Sequence, residues 1–360
     1  MGETSMTQPG VHSYAEIMSQ PDTLVEAERI FAAQIAEAEA IWRAADYDEL
    51  IVTGCGSTYY VSLAAAATFQ RLTGVAARAY PASQIALMPE QTLRPTARPM
   101  LLAISRSGST TETVAAIRKF RAHKQGAVMA ITCDSTSPLA KETDLAFNID
   151  AAQETSVAQT RTFSSMLLVA QALSAHLAGH STAEALSALP GNVRAALSQV
   201  EPLAKQLGED QTIERFFFLG LGSYYGIACE AMLKMKEMSL SYSEAYHTLE
   251  FRHGPMSMVH DRSLVVGLLS DETLDQEIAV LRDMHMRGAR TLAIAARPVD
   301  PAPAIGHIIQ IDNRLPAWTR PNAAIPALQL LAYYRAIANG QNPDTPENLT
   351  FVISLNEAMM

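Results

Sequence analysis

A short apolar run ending in Gly-x-Gly-Ser occurs twice in this 360-residue chain, 166 residues apart. Residues 49–53 lead into Gly54-Cys-Gly-Ser-Thr-Tyr-Tyr60, and residues 216–219 lead into Gly220-Leu-Gly-Ser-Tyr-Tyr-Gly226. The sequence after each loop keeps the same order. Ser105 and Ser270 each close a second apolar run and lie 165 residues apart; Asp150 and Asp312 follow the last run of each half and lie 162 apart. The first half has runs at 49–53, 100–104, 127–132 and 145–149, and the second has them at 216–219, 263–269, 291–295 and 307–311. Apolar runs alternating with helical patterns predict parallel sheets covered by helices on both faces. The fold expected is therefore α/β, with two tandem duplicated domains, each a parallel-sheet three-layer sandwich.

The remaining segments frame this duplication. Leu24, Ala27, Ile30, Phe31, Ile35, Ala38 and Ile41 recur at helical spacing, which predicts a helix over 21–45. The expected organisation is a helical segment at 1–45, a first domain at 46–178, a helical linker at 179–208, a second domain at 209–342 and a tail at 343–360. Composition narrows the function. The formal charge is -10 with no basic run, which argues against nucleic-acid and anionic-membrane partners. Cys55, Cys133 and Cys229 form no CxxC pair, so neither a disulfide framework nor a zinc site is expected. Residues 1–12 lack a signal-peptide core, and no apolar stretch is long enough to span a bilayer. A soluble, cytoplasmic protein without metal or cofactor is expected.

Ligands of open α/β sheets bind beyond the carboxyl ends of the strands, where three of four candidate segments lie. The loop Gly54-Cys-Gly-Ser-Thr58 can approach an anion closely. As a dinucleotide fingerprint it lacks the third glycine, and no acidic residue lies near Tyr80-Pro-Ala-Ser83, so NAD is not expected. Ser105-Arg-Ser-Gly-Ser-Thr-Thr-Glu-Thr113 carries six hydroxyl residues in nine positions. Hydroxyls and free backbone N–H groups together suit a phosphate, whereas a solvated turn with a helix cap needs one hydroxyl. Glu230, Lys234 and Glu237 lie at i, i+4 and i+7 on one helix face, either as a site or as a surface ion-pair ladder. The helix carrying them starts at the second glycine loop. The fourth segment, Glu244–Pro255, ends in His253-Gly-Pro, where a side chain can face a cleft or serve structure alone. His176 and His180 have no third ligand, and no metal is proposed.

Together these motifs resemble the sugar isomerase (SIS) family, over nearly the whole chain from Met18 to Leu349. The loop at Gly54 looks like the family's Gly-Cys-Gly-Thr-Ser, and Ser105-Arg-Ser-Gly-Ser-Thr110 like its Ser-x-Ser-Gly-x-Thr phosphate loop. Glu154-Thr-Ser-Val-Ala-Gln-Thr-Arg-Thr-Phe163 looks like the segment that lines the sugar. Residues 230–237 look like its Glu-Gly-Ala-Leu-Lys-x-Lys-Glu helix. The resemblance implies that Ser105, Arg106, Ser107 and Thr110 surround the sugar phosphate, with Ser57 and Thr58 closing the site. Val157 and Gln159 would line the sugar, and Lys234 would orient it. Glu237 would move a proton between C1 and C2, and His253, supplied by the neighbouring subunit of a homodimer, would open the ring. A carboxylate in a partly desolvated cleft suits the first task and a histidine the second.

Departures from the family pattern bear on substrate. The family's synthase carries a Schiff-base lysine in its tail; here Phe351 stands at that position, and no lysine follows Lys236. Arg106 replaces a usual glutamine, and Gln159 and Arg161 a usual serine and lysine. These features imply an enzyme on an amino-sugar phosphate, either deaminating glucosamine 6-phosphate or splitting a phosphorylated fructosamine. Plain aldose–ketose isomerisation is the nearest alternative, and a non-catalytic sugar-phosphate sensor is an alternative of another class. Two repeats, a leading helix and a tail account for the length, so neither a glutaminase segment nor a helix-turn-helix is expected.

Overall fold

The computed structural model describes residues 8–124, 126–300 and 305–352. The first half runs α1 (Val11–Met18), α2 (Gln20–Arg43), β1 (Glu49–Gly54), α3 (Ser57–Thr73), β2 (Ala76–Pro81), α4 (Ala82–Leu87), α5 (Pro89–Thr92), β3 (Pro99–Ser105), α6 (Thr111–His123), β4 (Val128–Thr132), α7 (Pro138–Lys141), β5 (Leu145–Asn148) and α8 (Arg161–Leu177). The second runs α9 (Ala183–Glu209), β6 (Arg215–Gly220), α10 (Ser223–Ser239), β7 (Tyr242–His247), β8 (Ser263–Leu269), α11 (Leu274–Met286), β9 (Arg290–Ala295), β10 (His307–Gln310) and α12 (Arg320–Ala338).

Both sheets are parallel and five-stranded, in the orders β2-β1-β3-β4-β5 and β10-β9-β8-β6-β7. The expected α/β duplication is present, with one more strand per sheet than the four apolar runs suggested. The additional strands, β2 and β7, are edge strands with mostly half-exposed residues. Each packs chiefly on one helix, α3 for β2 and α10 for β7, and carries no continuous apolar run, so its sequence signal is weak. The helix α1 falls in the polar start of the chain, ahead of the periodic pattern read over 21–45.

Alternation along the strands divides the core into three. Leu50 and Val52 of β1, with Phe216 and Phe218 of β6, face one shared middle layer that includes residues of α2, α3, α8, α9, α10 and α12. Ile51 faces α4 and α6 on the outer side of the first sheet. Phe217 and Leu219 face α11 and Phe251 on the outer side of the second. Side chains with a period of two send successive residues to opposite faces, so each sheet is a three-layer sandwich with a common central layer. The helix α9, expected as a linker, packs along α12 and α2 inside that layer.

The duplication extends to backbone angles. Gly56 has φ 56° and ψ −125°, and Gly222 has φ 56° and ψ −126°, each immediately before its helix. Side chains other than hydrogen are disfavoured in that conformation. Within the middle layer α3 and α10 approach closely at Gly226. A Cβ there would lie 2.6 Å from the Tyr60 carbonyl oxygen and 2.7 Å from the Ala64 nitrogen. This approach brings charged residues of the second repeat to the loops of the first.

Candidate active site

The strands β1 and β3 are neighbours, with Thr53 opposite Ala103, so the glycine loop and the hydroxyl loop rise side by side. Thr58 Oγ1 donates to the Cys55 carbonyl and accepts from the Cys55 N–H, both at 2.9 Å. It therefore fixes the glycine loop from within. In the hydroxyl loop Ser105 Oγ accepts from the Gly108 N–H at 3.1 Å and lies 3.5 Å from Thr110 Oγ1. Ser107 Oγ accepts from the Ser109 N–H at 3.3 Å. Gly108 has φ 59°, and a Cβ on it would lie 2.1 Å from Ser137 Oγ, so only glycine closes this turn. Ser105, Ser107 and Thr110 thus share one tight loop that opens onto the start of α6.

Close packing of α3 on α10 brings a charged array to Ser57. Lys234 is 1% exposed. Its ammonium donates to Ser57 Oγ at 3.2 Å and to Glu237, and lies 3.4 Å from Glu230 Oε1. Ser57 Oγ in turn donates to Glu230 Oε1 at 3.2 Å. Burial pushes the Glu230 carboxyl up, to about 8, against the pull of Lys234. Glu230 Oε2 is enclosed without a hydrogen-bond partner, a second disadvantage to a charge there. Burial by itself would lower the Lys234 ammonium, but Glu230 and Glu237 outweigh it and raise it above its ordinary value. The array therefore holds a fixed cation beside Glu237, which is about one-fifth exposed.

The segment after β5 is organised by Glu154. Its Oε1 accepts from the Thr160 N–H at 2.6 Å and from Thr160 Oγ1 at 2.7 Å; Thr162 Oγ1 donates to Oε2. Glu16 Oε1 accepts from the N–H groups of Thr155 and Ser156 at 2.5 and 3.3 Å. The Val157 N–H donates to the Asp344 carbonyl at 3.0 Å, and the Asp344 carboxylate accepts from the Ser13 N–H at 2.7 Å. Val157 and Gln159 are thus held by both ends of the chain, and Gln159 Oε1 is enclosed without a partner. Sequence reasoning omitted Glu16, Asp344 and Ser13. Their contacts span more than 130 residues, and no local pattern marks them.

Arg106 and His253 complete the candidate residues. The Arg106 guanidinium, expected to add charge beside the phosphate loop, is buried against Glu154, the Ser156 carbonyl and Phe351 and lies near enough to Lys234 to oppose its ammonium. A buried cation takes the carboxylate within reach. His253 is exposed at the end of a short turn whose Phe251 packs with Phe217 on the outer face of the second sheet. The helix α10, which carries Glu237, packs on the inner face.

The second repeat carries different chemistry. At the 166-residue offset, Thr68 and Arg71 of α3 stand where α10 has Lys234 and Glu237. Both line a hollow of about 300 Å³ at the second pair of loops. There the Glu277 carboxylate accepts from the Ser270 N–H at 2.7 Å and from Thr273 Oγ1 at 3.1 Å. A carboxylate from the chain itself fills the anion-holding turn. The Lys234–Glu237 pair accompanies the first repeat's glycine loop through Ser57.

Fold and site together define a duplicated α/β protein with one equipped set of loops at the carboxyl edge of its first sheet. The family is the SIS domain family: its model matches residues 45–175 and 212–313, and the chain belongs to it. Similar curated proteins include the isomerizing glutamine–fructose-6-phosphate aminotransferases of Haemophilus influenzae and Halobacterium salinarum. The first is 30% identical over 316 residues, 84% of this chain and 51% of that protein. The second is 31% identical over 318 residues, again 84% and 51%. The chain thus spans about half the length of these relatives. Among solved structures, glucosamine-6-phosphate deaminase from Thermotoga maritima is 28% identical with a TM-score of 0.78, over 96% of this chain and 100% of that one. Tagatose-6-phosphate ketose/aldose isomerase from Escherichia coli shares the fold, with a TM-score of 0.84 at 23% identity over 95% and 98% of the two chains. Among the described residues no helix is long and apolar enough to cross a membrane.

Proposed function

We propose that this protein is an enzyme acting on an amino-sugar phosphate, converting glucosamine 6-phosphate and water to fructose 6-phosphate and ammonia. The observation that carries this reading is the buried Ser57–Glu230–Lys234–Glu237 array beside the hydroxyl loop. Similarity to the Thermotoga maritima deaminase over the whole of both chains supports the same class of substrate.

In this reading Ser105, Ser107, Thr110 and the start of α6 hold the phosphate, and Ser57 closes the site. Val157 and Gln159 line the sugar, the free Oε1 of Gln159 accepting a hydrogen bond from a sugar hydroxyl. His253 passes a proton between the hemiacetal hydroxyl and the ring oxygen, giving the open chain. Glu237 removes the C2 proton and returns it to C1. The C2–nitrogen bond becomes a ketimine, and water adds to release ammonia and leave the ketone. The substrate supplies the amine, so no lysine of the protein is needed. Lys234 stays cationic beside Glu237 and balances charge developing on the substrate oxygen.

In this reading a homodimer completes the site, the neighbouring subunit supplying His253, which in its own chain follows the outer-face residue Phe251. Two assays test the proposal. Purified protein is incubated with glucosamine 6-phosphate and with a phosphorylated fructosamine, and ammonia and sugar phosphates are followed. No turnover of glucosamine 6-phosphate, or full activity in Glu237→Gln, refutes it. Inactive Glu237→Gln and His253→Ala variants are then mixed under subunit exchange. Sites shared between subunits recover about a quarter of wild-type activity, since half the dimers regain one site of two. No recovery refutes the sharing.

A further inference from the structure

The two departures that stand apart in sequence, Arg106 in the hydroxyl loop and Phe351 in the tail, are in contact. The Arg106 guanidinium lies 3.9 Å from the centre of the Phe351 ring. Its Nη2 donates to the Phe351 carbonyl at 3.2 Å, and its Nη1 donates to the Ser156 carbonyl at 3.2 Å and lies 3.5 Å from Glu154 Oε2. The Arg106 carbonyl accepts from the Cys133 N–H at 3.1 Å. One side chain, 5% exposed, therefore joins the hydroxyl loop, the segment expected to line the sugar, and the tail. The tail already runs along that segment through Asp344 and Val157. Phe351 itself is 39% exposed, so its ring closes over the guanidinium while its edge faces outward.

We propose that Arg106 and Phe351 form a latch that fixes the tail against the Glu154–Gln159 segment. Arg106 is then a positioning residue and Phe351 a specificity-determining wall of the substrate site. The guanidinium is planar and weakly hydrated, so it accepts an aromatic face and two carbonyls together; an ammonium or an amide does not. The latch also explains why the departures occur together. A lysine at 351 would bring a like charge to the guanidinium in a dry surrounding, so an arginine at 106 requires an uncharged partner there. The specificity part rests on the function proposed above; the latch itself does not.

The test therefore begins without substrate. Amide hydrogen exchange over residues 343–352 is compared in wild type, Arg106→Gln, Phe351→Ala, Phe351→Leu and Phe351→Tyr. Arg106→Gln, Phe351→Ala and Phe351→Leu are expected to exchange at least tenfold faster there, with the strands unchanged, and Phe351→Tyr to match wild type. Unchanged tail exchange in Arg106→Gln, or a Phe351→Leu variant equal to wild type, overturns the latch. With glucosamine 6-phosphate, Phe351→Ala is expected to raise KM about tenfold with kcat within threefold, and Phe351→Tyr to restore KM. A loosened tail with unchanged KM overturns the wall. If wild type does not turn over glucosamine 6-phosphate, the functional reading fails. The Kd for fructose 6-phosphate, measured by calorimetry in the same variants, then takes the place of KM. Equal Kd values, or no fructose 6-phosphate binding by wild type, overturn the wall.

Discussion

Replacing Glu230 by glutamine isolates the electrostatics of the buried array. Burial raises this carboxyl from 4.5 to about 8, so the folded protein keeps a proton that the unfolded chain loses above pH 4.5. The associated stabilisation is complete below pH 4.5 and is lost as pH rises through 8. At about 1.4 kcal/mol per unit, the three units from pH 5 to 8 amount to about 4 kcal/mol. A glutamine in this place has nearly the same shape and does not titrate. At pH 5 both proteins are neutral at this position, and Glu230→Gln is expected within about 1 kcal/mol of wild type. At pH 8 the variant gains up to about 4 kcal/mol on wild type, because only the wild type must ionise or hold a costly proton. In wild type Lys234 does not disturb the window, since Glu230 and Glu237 raise its pKa above 10.5; in the variant Glu237 remains its charged partner. Urea unfolding at pH 5, 6, 7 and 8 measures the difference. A difference that stays constant within about 1 kcal/mol over this range refutes the assignment of Glu230 as a buried, proton-retaining carboxyl.

Further outcomes follow from packing, pairing and reactivity. Gly191 lies exposed in α9 with open space around its Cβ position, whereas a Cβ on Gly226 meets the α3 backbone. Gly191→Ala is expected to stabilise by about 0.5–1 kcal/mol, and Gly226→Ala to destabilise by about 1–2 kcal/mol as overpacking exceeds helix propensity. Urea unfolding giving both shifts the same sign refutes the close approach of α3 and α10. Glu154→Gln removes the carboxylate facing buried Arg106 and is expected to lose about 3–5 kcal/mol, measured by thermal unfolding. A loss below about 1 kcal/mol shows that the pair is not what holds the segment. Burial pushes the Cys55 thiol up to about 11. At pH 8 about one in a thousand is thiolate, so iodoacetamide labels native Cys55 at least about a hundredfold more slowly than glutathione. Equal rates, read by peptide mass spectrometry, refute this.

The sequence determined the architecture because the duplication is written in local terms. An apolar run, a glycine turn and a helical pattern recur at a fixed offset, and each is read from neighbouring residues. Gly54 and Gly220 are legible for the same reason: each turn folds back on the helix that follows it. Glu230, Lys234 and Glu237 are legible as one helix face, though helical spacing cannot say whether that face meets water or Ser57. Tertiary structure decided that question through the close approach at Gly226, and with it the raised Glu230 carboxyl. The placing of the Arg106 guanidinium is likewise invisible in its motif. Its partners Glu154, Ser156 and Phe351 lie 48 to 245 residues away, and a buried cation is placed by whichever carboxylate, carbonyl and ring the whole fold brings to it.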